Sequence, residues 1–295
     1  MNDELETSLH EAGLDPQAVG RLVRVALRED GDTDVTSEPI FDAGIRAHGD
    51  LATRRPGVVA GIPVAAVVFE MLGVSATPRA IDGDRVGAGT VLLSVEGPLV
   101  PLLRAERTAL NFLTHLSGIA TVTREWADAV AGTKARVRDT RKTLPGLRAL
   151  QKYAVRCGGG VNHRMSLADA ALIKDNHVAA AGSVTAAFNA VQAPGLLVQV
   201  ECDTLEQLRE ALDAGARSIL LDNMSIAEMT EAVRLGDGRA ELEASGGLAL
   251  DGARDVAETG VDYLAVGALT HSAPALDIGL DLSQRGPDAA HDRRR

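Results

Sequence analysis

Apolar positions change their spacing along this chain, and each change predicts a different kind of element. From Pro16 to Arg28, Val19, Leu22, Val23, Val25, Ala26 and Leu27 fall on one broad side at helical spacing, which predicts an amphipathic helix. The polar run Glu29 to Asp34 ends it. Ala47–Thr53, Gly57–Ala60 and Val91–Val95 alternate or are β-rich, and the turn sequences Asp82-Gly83-Asp84 and Gly87-Ala88-Gly89 punctuate them. These read as strands joined by turns. Pro63–Leu72 predicts a helix between strands, and Leu102–Leu116 and Thr121–Val130 two more, parted by Gly118.

From about residue 135 a regular alternation takes over. Short apolar runs end in a polar or glycine residue: Ala135–Arg138 before Asp139, Ala170–Ile173 before Lys174, Leu196–Val200 before Glu201, and Ser218–Leu221 before Asp222. Glu241–Ala244 leads into Ser245-Gly246-Gly247, and Tyr263–Val266 into Gly267. Helical patterns at Leu147–Arg156, Ser183–Gln192, Leu205–Ala214, Ser225–Leu235 and Ala253–Thr259 lie between most of them. At least five βα units predict a parallel barrel, whose C-terminal rim is where side chains converge on substrate. The last two strands end in glycine-rich turns, which either close tight loops or let backbone N–H groups grip a phosphate.

Composition narrows the function classes. The 295 residues suit one large or two ordinary domains, and 45% apolar residues supply a sizeable core. A net charge of −11 with only four Phe, two Tyr and one Trp argues against nucleic acid, which wants cations and stacking platforms. Cys157 and Cys202 belong to no metal-binding or disulfide pattern. The longest apolar stretch, Gly57 to Phe69, holds Pro63 and is too short to span a bilayer, and the acidic N-terminus has no signal-peptide pattern. A cytoplasmic protein is the expectation.

The charge is unevenly spread. Lys134 to Arg164 carries nine cations against the single acid Asp139, a net +8, which leaves −19 on the rest. Such a run is either a solvated face or a set of loops holding cations around an anion. Its interruption by Thr-Leu-Pro-Gly and by Gly158-Gly159-Gly160 favours the second. Arg141 and Lys142 follow a strand directly, His163 and Arg164 follow the glycine turn, and Lys174 closes the next strand. Arginine offers a planar fork for a carboxylate or phosphate, and lysine a point charge.

ERTALNFLTHLSGIAT, DTRKTLPGLR, GGGVNHRMSL, IKDNH, LLDNMS, ASGGL and VDYLAVGALTHSAPALDIGLDL stand in the order seen in quinolinate phosphoribosyltransferases. The resemblance covers about Arg28 to Leu282. It implies an α/β fold, with an N-terminal α/β open sandwich followed by an incomplete TIM-like α/β barrel. The expected division is 1–118 for the sandwich, with 272–284 packing back on it, 119–271 for the barrel, and 285–295 as a disordered tail. The activity it implies is transfer of phosphoribose from phosphoribosyl pyrophosphate to quinolinate with decarboxylation. The products are nicotinate mononucleotide, pyrophosphate and carbon dioxide, and Mg²⁺ is the cofactor.

By the same resemblance Arg141, His163, Arg164 and Lys174 form the cationic pocket for the two quinolinate carboxylates, and Arg107 reaches it from a neighbouring subunit of a homodimer, with a higher oligomer open. Lys142 contacts phosphoribosyl pyrophosphate, and Glu201 and Asp222 stand near the ribose hydroxyls and Mg²⁺. Ser245, Gly246, Gly247, Gly267, Ala268 and His271 hold the 5′-phosphate. One departure is visible: Gln199 stands where many relatives have glutamate, in Gln199-Val200-Glu201-Cys202. Three alternatives stay open. They are a related enzyme for another pyridine or pyrimidine carboxylate, a barrel lyase with a Schiff base on Lys174, and a silent phosphosugar sensor. Lys174 reads as a pocket cation ahead of a structural ion pair with Asp175, and Asp139 reads as a structural partner of Arg141.

Overall fold

The computed structural model describes residues 2–284, so the tail read at 285–295 lies outside the described residues. The chain clusters into two compact units. One holds residues up to Val122, Ala149–Gly158 and those from Ala273 on; the other holds Thr123–Arg148 and Gly159–Ser272.

In chain order, the first unit begins with helices α1 (Asp3–Glu11), α2 (Pro16–Glu29) and α3 (Ser37–Ile40), then strands β1 (Arg46–Thr53) and β2 (Gly57–Val58). Helix α4 (Ile62–Met71), strands β3 (Ser75–Pro78), β4 (Arg85–Val86) and β5 (Val91–Pro98), and the long helix α5 (Leu99–Ala129) follow. Asp15 caps α2 through the Gln17 amide, and Pro16 opens it, where a missing N–H costs nothing. Helix α4 is apolar all round, and Val64 to Phe69 are all buried. Such a helix is stable only with packing on every side.

An antiparallel sheet runs β12-β1-β5-β3, where β12 (Ile278–Gln284) returns from the chain's far end to pair with β1, Leu51 opposite Leu280. The helix break expected at Gly118 is absent, because α5 passes through it unbroken. A Cβ at Gly118 would lie 2.0 Å from the Pro274 carbonyl oxygen. The glycine therefore admits the returning chain instead of ending a helix.

The second unit continues with β6 (Arg136–Arg138), and helix α6 (Arg148–Cys157) follows in sequence, with its residues from Ala149 on clustering with the first unit. Next come β7 (Ala171–Ile173), α7 (Asp175–Ala181), α8 (Val184–Ala190), β8 (Val198–Cys202), α9 (Leu205–Asp213) and β9 (Ser218–Asp222). Helix α10 (Ile226–Gly236), β10 (Glu241–Ser245), α11 (Ala253–Glu258), β11 (Tyr263–Ala265) and α12 (Ala268–His271) complete it. Its six strands are all parallel, in the order β6-β11-β10-β9-β8-β7, an unclosed barrel wall. Each expected strand is present with its ends within three residues, β5 running on from Val95 to Pro98, while β3, β4 and α1 carry patterns too short or too polar to read. Capping boxes Thr204/Gln207 and Ser225/Glu228 start α9 and α10, which fixes where the preceding strand-to-helix loops end.

Candidate active site

Because side chains alternate along a strand, Gln199 and Glu201 share one face of β8, Leu220 and Asp222 one face of β9, and Glu243 and Ser245 one face of β10. These faces line one cavity of about 370 Å³ at the strand ends, together with Thr140, Arg141, Lys142, His163, Arg164 and Lys174. The cavity thus unites eight of the expected site residues: Arg141, Lys142, His163, Arg164, Lys174, Glu201, Asp222 and Ser245.

The cations are held by their backbones. Thr140 Oγ1 accepts from the Lys142 amide at 3.0 Å, and buried Thr270 donates its hydroxyl to the Lys142 carbonyl at 2.7 Å. Asp139 is fully buried and accepts from the Asn162 side-chain amide and, at 2.8 Å, from the His163 N–H. It therefore ties the 158–164 loop to the end of β6. Arg164 donates to the Ala170 carbonyl at 2.7 Å. Burial, and then the charge of Arg141, lower the Arg164 pKa. The Nε of Arg141 is itself buried without a hydrogen-bond partner. Two crowded guanidinium groups, one with an unsatisfied buried donor, are a site short of an anion.

Lys174 Nζ lies 2.6 Å from Glu201 Oε2. The ion pair that Lys174 makes is thus with Glu201 and not the alternative one with Asp175, and Lys174 also occupies the N-cap position of α7. Asp222 accepts from Asn223 Nδ2 at 2.7 Å, and Asn223 adopts a left-handed φ of 55°. A Cβ at Gly246 would fall 2.2 Å from Asn223 Oδ1, so Gly246, at φ 90°, has both a conformational and a steric reason to be glycine. Gly267 has the steric reason alone: a Cβ there would come within 3.2 Å of Lys142 Cδ and of His271 Nε2. Gly247 follows Gly246 at φ 59°, Ala268 opens the four-residue α12, and His271 ends it with its Nδ1 2.6 Å from Ser272 Oγ. None of Gly246, Gly247, Gly267, Ala268 and His271 lines the cavity itself. Arg107 belongs to the first unit, where it lines a different cavity beside Arg104 and Arg28.

The sequence reading missed Glu243 and Arg138. Glu243 is 1% exposed, accepts from Arg138 at 2.6 Å, and lines the cavity from below the rim. Arg138 in turn stacks 3.6 Å over the Tyr263 ring. Burial pushes the Cys202 thiol up to about 12, which removes it as a nucleophile. Among the described residues no three His, Cys, Asp or Glu side chains converge to hold a metal. Glu201 and Asp222 fit Mg²⁺ as a partial set, since that ion takes one or two carboxylates and completes its shell with waters and substrate phosphates.

Comparison with known proteins agrees with this geometry. Residues 34–117 match the family described as quinolinate phosphoribosyl transferase, N-terminal domain, and residues 119–281 match the C-terminal domain of the same family. The nicotinate-nucleotide pyrophosphorylase [carboxylating] of Mycobacterium leprae is 55% identical over 271 residues, covering 88% of this chain and 95% of that protein. A probable enzyme of the same name in Bacillus subtilis is 41% identical, covering 87% and 90%. The crystal structure of NadC from Streptococcus pyogenes superposes with a TM-score of 0.89 at 40% identity, covering 92% of this chain and 99% of that one. With both domain matches in sequence order and this degree of identity, the chain belongs to the quinolinate phosphoribosyl transferase family.

Proposed function

We infer that this chain transfers phosphoribose from phosphoribosyl pyrophosphate to quinolinate and decarboxylates the product, a step of NAD biosynthesis. The observation that carries the reading beyond family membership is the Arg141–Arg164 pair. Its buried, unpartnered Nε and mutual repulsion are relieved by a bound anion, and a dicarboxylate supplies two. A monocarboxylate such as nicotinate would leave part of that charge unanswered.

Arg141 and Arg164, with Lys174, bind the carboxylates and orient the pyridine nitrogen toward the anomeric carbon. That nitrogen carries no proton, so no strong base is required. As the C–O bond to pyrophosphate breaks, positive charge builds on the ribose, and the carboxylates of Glu201 and Asp222 on the same cavity wall stabilise it. Lys142 faces the departing pyrophosphate. Glu201 and Asp222 would hold Mg²⁺ together with substrate oxygens, and the ion when bound neutralises charge on the leaving group. Once alkylated, the pyridinium stabilises the electron pair left on the adjacent ring carbon when that carboxylate departs as carbon dioxide, and a proton from solvent then forms the C–H bond in its place. Ser245 and the Gly246-Gly247 and Gly267 turns take the 5′-phosphate, with Ala268 and His271 beside them. A homodimer in which a second copy supplies Arg107 belongs to the same reading, as does the cytoplasm, where the free thiols Cys157 and Cys202 stay reduced.

Geometry argues against the Schiff-base alternative, because Lys174 Nζ is already engaged by Glu201 Oε2 at 2.6 Å. The direct test is incubation with phosphoribosyl pyrophosphate, Mg²⁺ and either carboxyl-labelled quinolinate or nicotinate. Labelled carbon dioxide and nicotinate mononucleotide from quinolinate are expected. Turnover of nicotinate alone, or tight binding of both substrates without turnover, would overturn the reading.

A further inference from the structure

Four side chains in the second unit fix one another's hydrogen-bonding direction. Glu243 is buried, and a carboxylate beside the Arg138 guanidinium can only accept. Gln199, 3% exposed, places its Nε2 at 3.1 Å from Glu243 Oε2. The reverse amide orientation would set oxygen against oxygen at that distance, so the NH₂ end must face Glu243. The Gln199 carbonyl oxygen then faces His163 Nε2 at 2.8 Å. An acceptor there requires the hydrogen to sit on Nε2.

The other side of the ring gives the same answer from a separate bond. The backbone N–H of Arg164 donates to His163 Nδ1 at 2.8 Å, which requires a bare lone pair on that nitrogen. Glu243 Oε1 lies 3.6 Å from Nε2, farther than the 2.8 Å to the Gln199 oxygen and beyond hydrogen-bond reach.

We infer that Gln199 is a positioning residue that holds His163 as the neutral Nε2–H tautomer, so that His163 steers the Arg164 backbone and adds no positive charge to the pocket. On this inference His163 stays at the pocket as a positioning group and is not one of its cations. With both nitrogens engaged, the ring offers the cavity only carbon atoms. The pocket's charge rests on Arg141, Lys142, Arg164 and Lys174. It also gives the departure at position 199 a physical role: an amide donates to Glu243 and accepts from His163 at once, whereas a glutamate would set a second carboxylate against Glu243. The consequence for catalysis rests on the quinolinate reading; the tautomer does not.

The test is side-chain ¹H–¹⁵N correlation NMR on the whole chain with ¹⁵N-histidine, the His163 signals being assigned by their loss in His163→Asn. The expected wild-type pattern near neutral pH is a protonated Nε2 and a bare Nδ1. An Nδ1–H tautomer or a doubly protonated ring would overturn the inference without the need for any variant. Gln199→Met, which keeps the volume and removes the acceptor, is expected to give a tautomer mixture. Gln199→Glu, which restores an acceptor, is expected to return the hydrogen to Nε2. An unchanged ring in Gln199→Met would refute the role of Gln199. In turnover, Gln199→Met is expected to raise the quinolinate KM about tenfold while kcat moves by less than about twofold. A wild type that turns over no quinolinate would fail the functional reading alone, and the ring spectrum would still decide the tautomer.

Discussion

Replacing Gly118 by alanine sets two physical effects of opposite sign against each other. In an exposed helix interior, alanine is favoured over glycine by about 1 kcal/mol. At Gly118, however, the new methyl would lie 2.0 Å from the Pro274 carbonyl oxygen and 3.0 Å from Ala275 Cα. An ordinary carbon–oxygen contact is about 3.3 Å, so the returning chain must retreat by more than about 1 Å. That segment cannot slide freely. The Leu276 amide donates to the Thr114 carbonyl at 3.0 Å, and its buried side chain fills the space over Gly57, where a Cβ would come within 2.7 Å of it.

Overpacking of this kind costs about 1–3 kcal/mol, and unseating Leu276 would add a further ~2 kcal/mol of lost burial. After the propensity gain of about 1 kcal/mol is subtracted, a net loss of about 2–4 kcal/mol remains, which at about 2–4 °C per kcal/mol is a fall in Tm of roughly 4–16 °C. Gly20 provides the matched control. It lies inside α2, and a Cβ there would meet Met71 Cε at 3.5 Å, an ordinary contact. Gly20→Ala is therefore expected to hold or raise Tm. Thermal unfolding of the two variants beside the wild type, with hydrogen exchange at the Leu276 amide, reads both the sign and the place. If Gly118→Ala proved as stable as Gly20→Ala, the close approach would not be what that glycine serves.

Three further outcomes follow from the geometry. Burial lowers the His115 pKa, so the unfolded chain takes up a proton near pH 6.5 that the folded chain refuses; stability contributed by this residue is present above that pH and is lost progressively as pH falls below it, and His115→Gln should flatten that part of the Tm–pH curve. Thr270→Val removes the 2.7 Å hydrogen bond to the Lys142 carbonyl, worth about 1 kcal/mol, and should lower kcat with the quinolinate KM unchanged; an unaltered kcat would dissociate that bond from Lys142 placement. In a double-mutant cycle of Lys174→Met and Glu201→Gln, the half-exposed lysine limits the coupling in stability to about 1 kcal/mol, while quinolinate KM should rise with Lys174→Met alone; equal KM in both would remove Lys174 from the pocket.

Where the chain alone was legible, the signal was local. Strand runs such as Ser218–Leu221, capped helices such as the one after Ser225, and polar residues at strand ends each announce themselves within a few positions. What stayed hidden depends on distant partners. Gly118 looks like a helix breaker until Pro274 is seen against it. Strand β3 has mostly exposed side chains and so no alternation to read. Glu243 sits within a strand one turn of the pleat below Ser245, and nothing in Glu241–Ser245 distinguishes a buried carboxylate from a solvated one. Its partner Arg138 is more than a hundred residues away, and only the parallel sheet brings them to 2.6 Å.

Most of the cations in the Lys134–Arg164 window do work away from the cavity. Of the nine, only Arg141, Lys142 and Arg164 line the cavity. Lys134 pairs with Asp262 and Arg138 with Glu243, Arg148 braces the Met165 carbonyl, Arg156 reaches the Ala12 carbonyl in the first unit, and Lys152 is buried in α6. Lys174, outside the window, joins the three. Against these four stand the acids Glu201 and Asp222 on the same wall, and Glu243 already has its own arginine. The surplus is small. On the proposed reading, anion selectivity at this site comes less from total charge than from burial and crowding, which leave Arg141 Nε without a partner and lower the Arg164 pKa. A solvated cluster with twice the charge would attract substrate from further away, yet water would already satisfy its donors. Two partly buried guanidinium groups, one of them steered by a neutral histidine, would give up less to water and so would discriminate more sharply between a dicarboxylate and anything smaller.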